Sequence, residues 1–142
     1  MANTENGRVE LSAYDITRCD MRATVLVVED EVLISDTVCE ALKSGGFNVC
    51  HAETADAAWR YLQSGHEIDL LFTDINLPGE MDGTELAARV RDWRPELPIV
   101  YVSGRHTSSD LGELVPRSVF LNKPYNLSEV CTLLHRLAPT EH

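Results

Sequence analysis

Thr24-Val25-Leu26-Val27-Val28 is a continuous run of aliphatic and β-branched residues near the start of the chain. Such a run is typical of a parallel β-strand that is buried on both faces of its sheet. It leads directly into three acids, Glu29-Asp30-Glu31, and then into a helical stripe of apolar side chains from Val32 to Lys43. Gly45-Gly46 ends that stripe. The segment therefore predicts a strand, an acidic turn and a helix.

The same alternation of short apolar runs and longer amphipathic stretches continues along the chain. Further strands are predicted at residues 47–50, 69–73, 98–102 and 118–121. Helices are predicted from Thr54 through Leu62, from Asp82 to Pro95, weakly from Ser108 to about Val115, and from Asn126 through Leu137. Repeated β-α units have right-handed crossovers and parallel strands. The sequence thus predicts a three-layer, doubly wound α/β fold with five parallel strands in the common order 2-1-3-4-5.

Composition limits the classes of function. The chain has 142 residues, of which 44% are hydrophobic and 25% charged, as expected for one globular domain. Its net charge of −11 disfavours nucleic acid and anionic lipid as partners. No apolar run approaches the roughly 18 residues of a membrane span, and we expect a cytoplasmic protein. The cysteines have no metal-ligand spacing, and the five histidines are scattered, so neither set is expected to form a site.

Three parts of the chain differ in character. Residues 1–22 are polar and lack sustained periodicity, which favours a flexible N-terminal extension. The alternative is that Val9–Ile16, which contains several apolar residues, packs on the domain as an added element. Residues 23–138 form the predicted domain, and residues 139–142 a short C-terminal tail.

Acidic side chains follow two of the predicted strands. Glu29 and Asp30 come directly after the first strand, and Asp74 follows the third. Because the carboxyl ends of parallel strands meet at one edge of the sheet, the three carboxylates are expected to converge if these strands are neighbours. Carboxylates that lie this close need a compensating positive charge, and Mg²⁺ is a suitable oxygen-liganded cation. The sequence therefore predicts a magnesium site.

Two other strands end in groups that can act on the same site. Ser103 follows the fourth predicted strand, and Lys123, one of only two lysines in the chain, follows the fifth. An anionic carboxylate, a metal ion, an ammonium and a hydroxyl are the parts needed for phosphoryl transfer to a carboxylate nucleophile.

Four motifs together resemble the receiver domain of two-component response regulators. They are Val25–Glu31 (VLVVEDE), Leu71–Pro78 with Met81–Gly83 (LFTDINLP and MDG), Val100–Gly104 (VYVSG) and Phe120–Pro124 (FLNKP). The motifs occur in the order found in that family, each at the end of a predicted strand, and the resemblance spans residues 23 to about 138. It implies a flavodoxin-like (βα)5 fold. There are two departures from the common pattern. Gly79-Glu80 lengthen the loop after Asp74 by one residue, and Ser103 stands where threonine is more frequent.

The resemblance assigns a role to each residue of the site. Asp74 is implied to be the phospho-acceptor, and Lys123 to contact the phosphoryl group. Asp30, Glu29, Asp74 and the backbone carbonyl of Asn76 are implied to hold Mg²⁺. Ser103 and Phe120 are implied to be the switch hydroxyl and the switch aromatic residue. Pro124 stands where such domains hold a cis Lys-Pro bond.

The expected function is that of a stand-alone receiver domain in a phosphorelay. A sensor histidine kinase or a histidine phosphotransfer protein is the implied donor. The implied output is the binding of a protein partner through one face of the domain, which is formed by the helix at 108–115, the strand at 118–121 and the last helix. The chain itself is expected to be a monomer or to form a weak dimer when phosphorylated. Two alternatives remain: a small phosphohydrolase with Asp74 as nucleophile, and a constitutive pseudo-receiver that acts as an interaction module.

Overall fold

The structure, a computed structural model, describes residues 9–11, 22–104 and 115–138. Its strands and helices alternate from Thr24 onward, as the sequence predicts. They are β1 Val9–Leu11, β2 Thr24–Val28, α1 Val32–Ser44, β3 Asn48–Ala52, α2 Ala55–Gln63, β4 Leu70–Asp74, α3 Gly83–Trp93, β5 Ile99–Ser103, β6 Ser118–Asn122 and α4 Leu127–Leu137. The weak helix predicted from Ser108 to about Val115 falls almost entirely outside the described residues.

All the described strands belong to one sheet with the order β1-β3-β2-β4-β5-β6. Strands β2 to β6 are parallel, and when β1 is left out their order is 2-1-3-4-5, so the predicted fold is confirmed. β2 lies between β3 and β4, and the chain crosses over to opposite sides of β2 to form them. The topological switch point therefore lies at the carboxyl ends of β2 and β4, where a ligand site is expected.

The N-terminal strand β1 is antiparallel to β3 and lies at the edge of the sheet. Val9 is paired with Ala52 and Glu10 with His51. The expectation of a flexible extension is thus wrong for Val9–Leu11, because the open edge of β3 offers backbone hydrogen-bond partners to these residues. Residues 12–21 lie outside the described part of the chain, and the domain boundaries stay a prediction.

Two buried apolar clusters, one on each face of the sheet, form the core. Alternate residues of strands β2 to β6 belong to opposite clusters, as the pleat of a β-strand requires. In β2, Leu26 packs with the cluster that includes Leu86 of α3, and Val25 packs with the cluster that includes Leu134 of α4. Because both faces are covered by helices, the polar side chains of the strands collect at their ends.

Side-chain caps fix where three of the helices begin. Thr54 accepts a hydrogen bond from the third N–H after it, Asp82 from the second and third, and Asn126 from the third. The predicted helices begin at these same three residues, and a cap of this kind is worth about 1 kcal/mol in typical helices. They start α3 and α4 directly after the loops at the carboxyl edge of the sheet. Among the described residues, no helix is long and apolar enough to cross a membrane.

Candidate functional site

The carboxyl ends of β2 and β4 bring two of the predicted acids together. Val28 is opposite Thr73 in the ladder between these strands, so Glu29 and Asp74 come next on neighbouring strands. The Glu29 N–H donates to the Ala52 carbonyl at 3.1 Å, which extends the pairing of β2 with β3 by one residue. The position of both acids is therefore set by the backbone of the sheet.

Lys123 joins the two acids from the far side of β5. Its Nζ lies 2.8 Å from Oδ2 of Asp74 and 3.6 Å from Oε1 of Glu29. The Lys123 N–H donates to the Ser103 carbonyl at 3.0 Å, which holds the start of the loop after β6 against the end of β5. The Lys123-Pro124 peptide bond is cis, as predicted. The contact between the proposed acceptor and the proposed lysine is thus formed directly.

The acid pair is buried and its charge is incompletely balanced. Glu29 is 5% exposed and Asp74 7%. Burial raises the pKa of Glu29 to about 7, and the negative charge of Asp74 adds to this rise. The hydrogen bond from the Glu31 N–H and the positive charge of Lys123 act in the opposite direction. Burial lowers the pKa of Lys123, but the hydrogen bond and charge of Asp74, together with Glu29, outweigh it and raise the pKa overall. One ammonium facing two carboxylates leaves an excess of negative charge.

The loop after β4 is folded closely against the acceptor. The Asn76 N–H donates to Oδ1 of Asp74 at 3.2 Å, while Lys123 binds the other carboxylate oxygen. The start of α3 returns over the end of β4, where the Gly83 N–H donates to the Ile75 carbonyl at 3.0 Å. A Cβ on Gly83 would overlap the backbone carbonyl of Asp74, so only glycine fits this position. Gly79, in the lengthened part of the loop, has a φ of 102°.

The remaining predicted residues lie around this pair. Asp30 is exposed and follows Glu29 at the rim, and Asn76 is also exposed. Ser103 is fully buried at the end of β5. Phe120 of β6 is half-buried, lies opposite Tyr101 in the ladder and packs on the cluster that α2 and α3 cover. All six side chains and the Asn76 backbone thus lie on or beside neighbouring strands of one sheet. Within this set, the side chain of Lys123 contacts those of Glu29 and Asp74.

The donor chemistry fits a hard divalent cation, although no ready-made ligand cage is present. Within the described ranges, no group of three or more His, Cys, Asp or Glu side chains is arranged to hold a metal ion. Of the three carboxylates that were predicted to converge, Glu29 and Asp74 do so, and Lys123 contacts both of them. Asp30 is exposed at the rim. Even so, two buried carboxylates with excess negative charge, and the Asp30 carboxylate next in the chain, are the oxygen ligands that Mg²⁺ prefers.

Sequence reasoning missed two residues that shape this site. Gly83 belongs to a quoted motif, but its contact with the Asp74 backbone depends on the path of the loop. His51, which was expected to have no site role, places Nε2 2.9 Å from the carbonyl oxygen of Glu29. Neither contact has a local sequence signal, since 9 and 22 positions separate the partners.

The fold and the buried acid–lysine set define a doubly wound α/β domain with an anionic site at its switch point. A family model described as the response regulator receiver domain matches residues 25–135. The chain therefore belongs to the response regulator receiver family, which acts in two-component signalling. Receiver domains in general bind Mg²⁺ for their phosphorylation.

Solved structures and named relatives agree with this assignment. The chain is similar to a response regulator receiver protein from Sinorhizobium medicae, with 31% identity, a TM-score of 0.77, and 82% of this chain and 94% of that one covered. It is 31% identical over 119 residues to the receiver protein CpdR of Brucella abortus, covering 80% of this chain and 94% of CpdR. It is 32% identical over 116 residues to NtrC of Azospirillum brasilense, where it spans 24% of the relative's length.

Proposed function

We propose that this chain is a phospho-accepting response regulator in which Asp74 takes a phosphoryl group from a phosphohistidine in a Mg²⁺-dependent reaction. The observation that carries the proposal is the contact of Lys123 Nζ with Oδ2 of Asp74 at 2.8 Å, beside the buried Glu29 carboxylate. An ammonium in this position can balance the charge that a phosphoryl group brings to the acceptor. The protein would act in the cytoplasm, as a signalling switch that catalyses only its own phosphorylation and dephosphorylation.

The transfer itself needs few groups. A carboxylate oxygen of Asp74 attacks phosphorus, a P–O bond forms, the N–P bond to the donor imidazole breaks, and the electron pair of that bond leaves with the imidazole. Lys123 would move from the carboxylate to an oxygen of the phosphoryl group while keeping its proton. Ser103, which ends the neighbouring strand, would donate its hydroxyl hydrogen to another of these oxygens.

Glu29, Asp30, Asp74 and the backbone carbonyl of Asn76 are the groups that would hold Mg²⁺. When bound, the ion supplies a divalent positive charge that neutralises the acids and the transferred phosphoryl oxygens. The chain's own contribution is to keep Glu29 and Asp74 buried and fixed on neighbouring strands, so that little reorganisation is needed. The raised pKa of Glu29 supports this part of the proposal, because it reports a carboxylate that is buried and lies beside a second acid.

The donor would be a sensor histidine kinase or a histidine phosphotransfer protein. Support comes from two exposed apolar side chains at the start of α1, Val32 and Leu33, which are 62% and 80% exposed. They follow directly after the acids of the site. Leu33 also lines a largely apolar groove of about 600 Å³ that reaches Lys123, Pro124 and Tyr125. A protein that docks on this groove would have its phosphohistidine close to Asp74.

Protein partners would read the phosphorylated state through Ser103 and Phe120. Movement of Ser103 toward a phosphoryl group on Asp74 would open space into which half-buried Phe120 can turn. The face that would respond is made of β6, α4 and the predicted helix at 108–115, which lies almost wholly outside the described residues. The chain is expected to remain a monomer or to form a weak dimer when phosphorylated.

The first test is labelling with Mg²⁺ and a small phosphodonor such as acetyl phosphate, followed by intact mass. We expect one hydroxylamine-sensitive phosphoryl group on the wild type, and none on Asp74→Asn or after removal of Mg²⁺ with a chelator. Asp92→Asn is the matched control, because Asp92 is exposed on α3 away from the site and should be labelled normally. Equal labelling of Asp74→Asn and wild type would refute the acceptor assignment, and sustained turnover of free phosphoesters would favour the phosphohydrolase.

The output is tested by NMR with the phosphoryl mimic beryllofluoride. Shifts should extend from Asp74 to β6 and α4 in the wild type, and should stay local in Ser103→Ala although that variant is still labelled. Shifts confined to the site loops of the wild type would contradict this output route.

A further inference from the structure

We propose that His51 is a positioning residue of the acid site, and that its ring N–H holds the Glu29–Asp30 peptide in the orientation needed to bind Mg²⁺. The proposal rests on the proposed function of this site. His51 belongs to β3, and its Nε2 lies 2.9 Å from the Glu29 carbonyl oxygen. A carbonyl can only accept, so Nε2 carries the hydrogen, and this bond persists whether the imidazole is neutral or protonated.

The bond lies where the regular pairing between β2 and β3 stops. The last backbone contacts are the Val28–Ala52 pair and the Glu29 N–H that donates to the Ala52 carbonyl. Beyond Ala52 the chain turns away into α2, so the ladder does not continue to the Glu29 carbonyl. The His51 side chain provides a hydrogen-bond donor at this point, so the hydrogen bonding between β3 and β2 continues for one more peptide group.

That peptide group connects the two predicted ligands. Its carbonyl belongs to Glu29, and its N–H belongs to Asp30, so its orientation constrains where both side chains leave the backbone. The Glu29 carboxylate is fixed further by the Glu31 N–H, which donates to Oε2 at 3.0 Å. His51 thus acts on the metal site through the backbone, without contacting a reacting atom.

The surroundings of His51 suit a fixed side chain. The ring is half-buried and lines a polar cleft of about 300 Å³ between α1 and β3, with Ser35, Cys39 and Lys43 among its other lining residues. In the backbone ladder between β1 and β3, the residue paired with His51 is Glu10. Asp36 and Glu40 of α1 also line the cleft, and because the bond is present in both protonation states, the proposal needs no titration of His51.

The test compares Mg²⁺ binding by wild type, His51→Phe and His51→Gln, with Mg²⁺ titrations followed by NMR. Loss of a hydrogen-bond partner that orients a metal ligand typically lowers the affinity for the metal by roughly 10–100-fold. Because His51 acts through the backbone, we expect a smaller loss of Mg²⁺ affinity in His51→Phe, of roughly 3–10-fold. His51→Gln keeps an N–H donor and should recover most of the affinity. The matched control is His66→Phe, because His66 also contacts a backbone carbonyl, that of Tyr61 at 3.0 Å, away from the site.

A second readout uses the metal-free protein. Amide exchange at Glu29 and Glu31 should become several-fold faster in His51→Phe, while amides in the centres of β4 and β5 should keep their wild-type protection. Faster exchange throughout the sheet would reveal general destabilisation and would overturn the proposal, as would an unchanged Mg²⁺ affinity.

The two proposals can fail separately. Phosphodonor labelling of the wild type tests the proposed function by itself. If the wild type is labelled and His51→Phe binds Mg²⁺ equally well, only the role of His51 is wrong. If the wild type is not labelled, the proposed function fails, and the metal-free exchange still decides whether His51 fixes the acid segment.

Discussion

Arg91 and Lys123 are both cations held against the protein interior, but at opposite ends of the sheet and with different partners. Arg91 of α3 is 9% exposed and donates to three backbone carbonyls, those of Pro116 and Arg94 at 2.8 Å and of Arg117 at 3.2 Å. These carbonyls lie near the amino end of β6. Lys123, beyond the carboxyl end of the same strand, faces the carboxylates of Asp74 and Glu29 instead.

The two ends differ in what the buried charge does for the fold. The guanidinium of Arg91 connects α3 to the segment that enters β6, and its hydrogen-bond acceptors are neutral carbonyls. Burial, together with the nearby charge of Arg117, lowers the pKa of Arg91. At the other end, two carboxylates compete for one ammonium, and burial raises the pKa of Glu29 to about 7. The hydrogen bonds of Arg91 at the amino end therefore stabilise the structure, whereas the paired acids at the carboxyl end are kept at the expense of stability, as expected for a site that binds a cation.

The largest expected effect is the loss of stability in Arg91→Leu. Removal of the guanidinium deletes three charge-assisted hydrogen bonds, although the Arg94 and Arg117 carbonyls keep the Leu97 and Ile99 N–H donors. We expect a free energy of unfolding lower by about 3 kcal/mol. Urea denaturation measures this change. Arg89→Leu on the same helix is the control, because Arg89 forms an exposed ion pair with Glu85 at 3.1 Å and lies 6.0 Å from the centroid of the Trp59 ring. Its loss should cost roughly 1 kcal/mol or less.

Arg91→Lys separates the charge from the geometry. Lysine keeps the positive charge but lacks the planar fork that reaches several carbonyls at once, so most of the loss should remain. Full stability of Arg91→Lys would mean that charge alone matters at this end, and the contrast with the acid site would no longer hold.

The next largest effect has the opposite sign and depends on pH. Because the pKa of Glu29 is higher in the folded protein than its ordinary value of 4.5, the folded state binds the proton more tightly than the unfolded state. Glu29 therefore makes stability fall as pH rises from about 4.5 through about 7. Glu29→Gln should remove this slope and make the metal-free protein more stable by about 2 kcal/mol at pH 8, with no gain at pH 4.

Denaturation of both proteins across this pH range gives the measurement. Glu31→Gln is the neighbouring control, since Glu31 is exposed and should change stability little at either pH. A gain in Glu29→Gln that is equal at pH 4 and pH 8 would show that packing, not charge, is responsible.

This contrast explains how far the sequence could predict the molecule. The strands and the acid–lysine contact were predictable, because apolar runs define parallel strands and the topology then brings their carboxyl ends together. Arg91 was not, since an arginine in a helix pattern indicates a solvated face, and its carbonyl acceptors on Pro116 and Arg117 are 25 and 26 positions away. The strand Val9–Leu11 is too short for a periodic signal, and its pairing depends on the open edge of β3.

The smallest of the three effects is the stabilisation by Mg²⁺ alone. A cation that binds the folded site and not the unfolded chain should raise the free energy of unfolding by about 1.4 kcal/mol at ten times its Kd.

Arg91→Leu should gain the same increment as the wild type, because its change lies at the other end of β6 and distant sites are usually additive. Asp74→Asn should gain much less, because it loses a carboxylate ligand. Denaturation at pH 8 with and without Mg²⁺ measures all three increments. If Arg91→Leu lost the Mg²⁺ increment while Asp74→Asn kept it, the two ends of the sheet would not have separate roles.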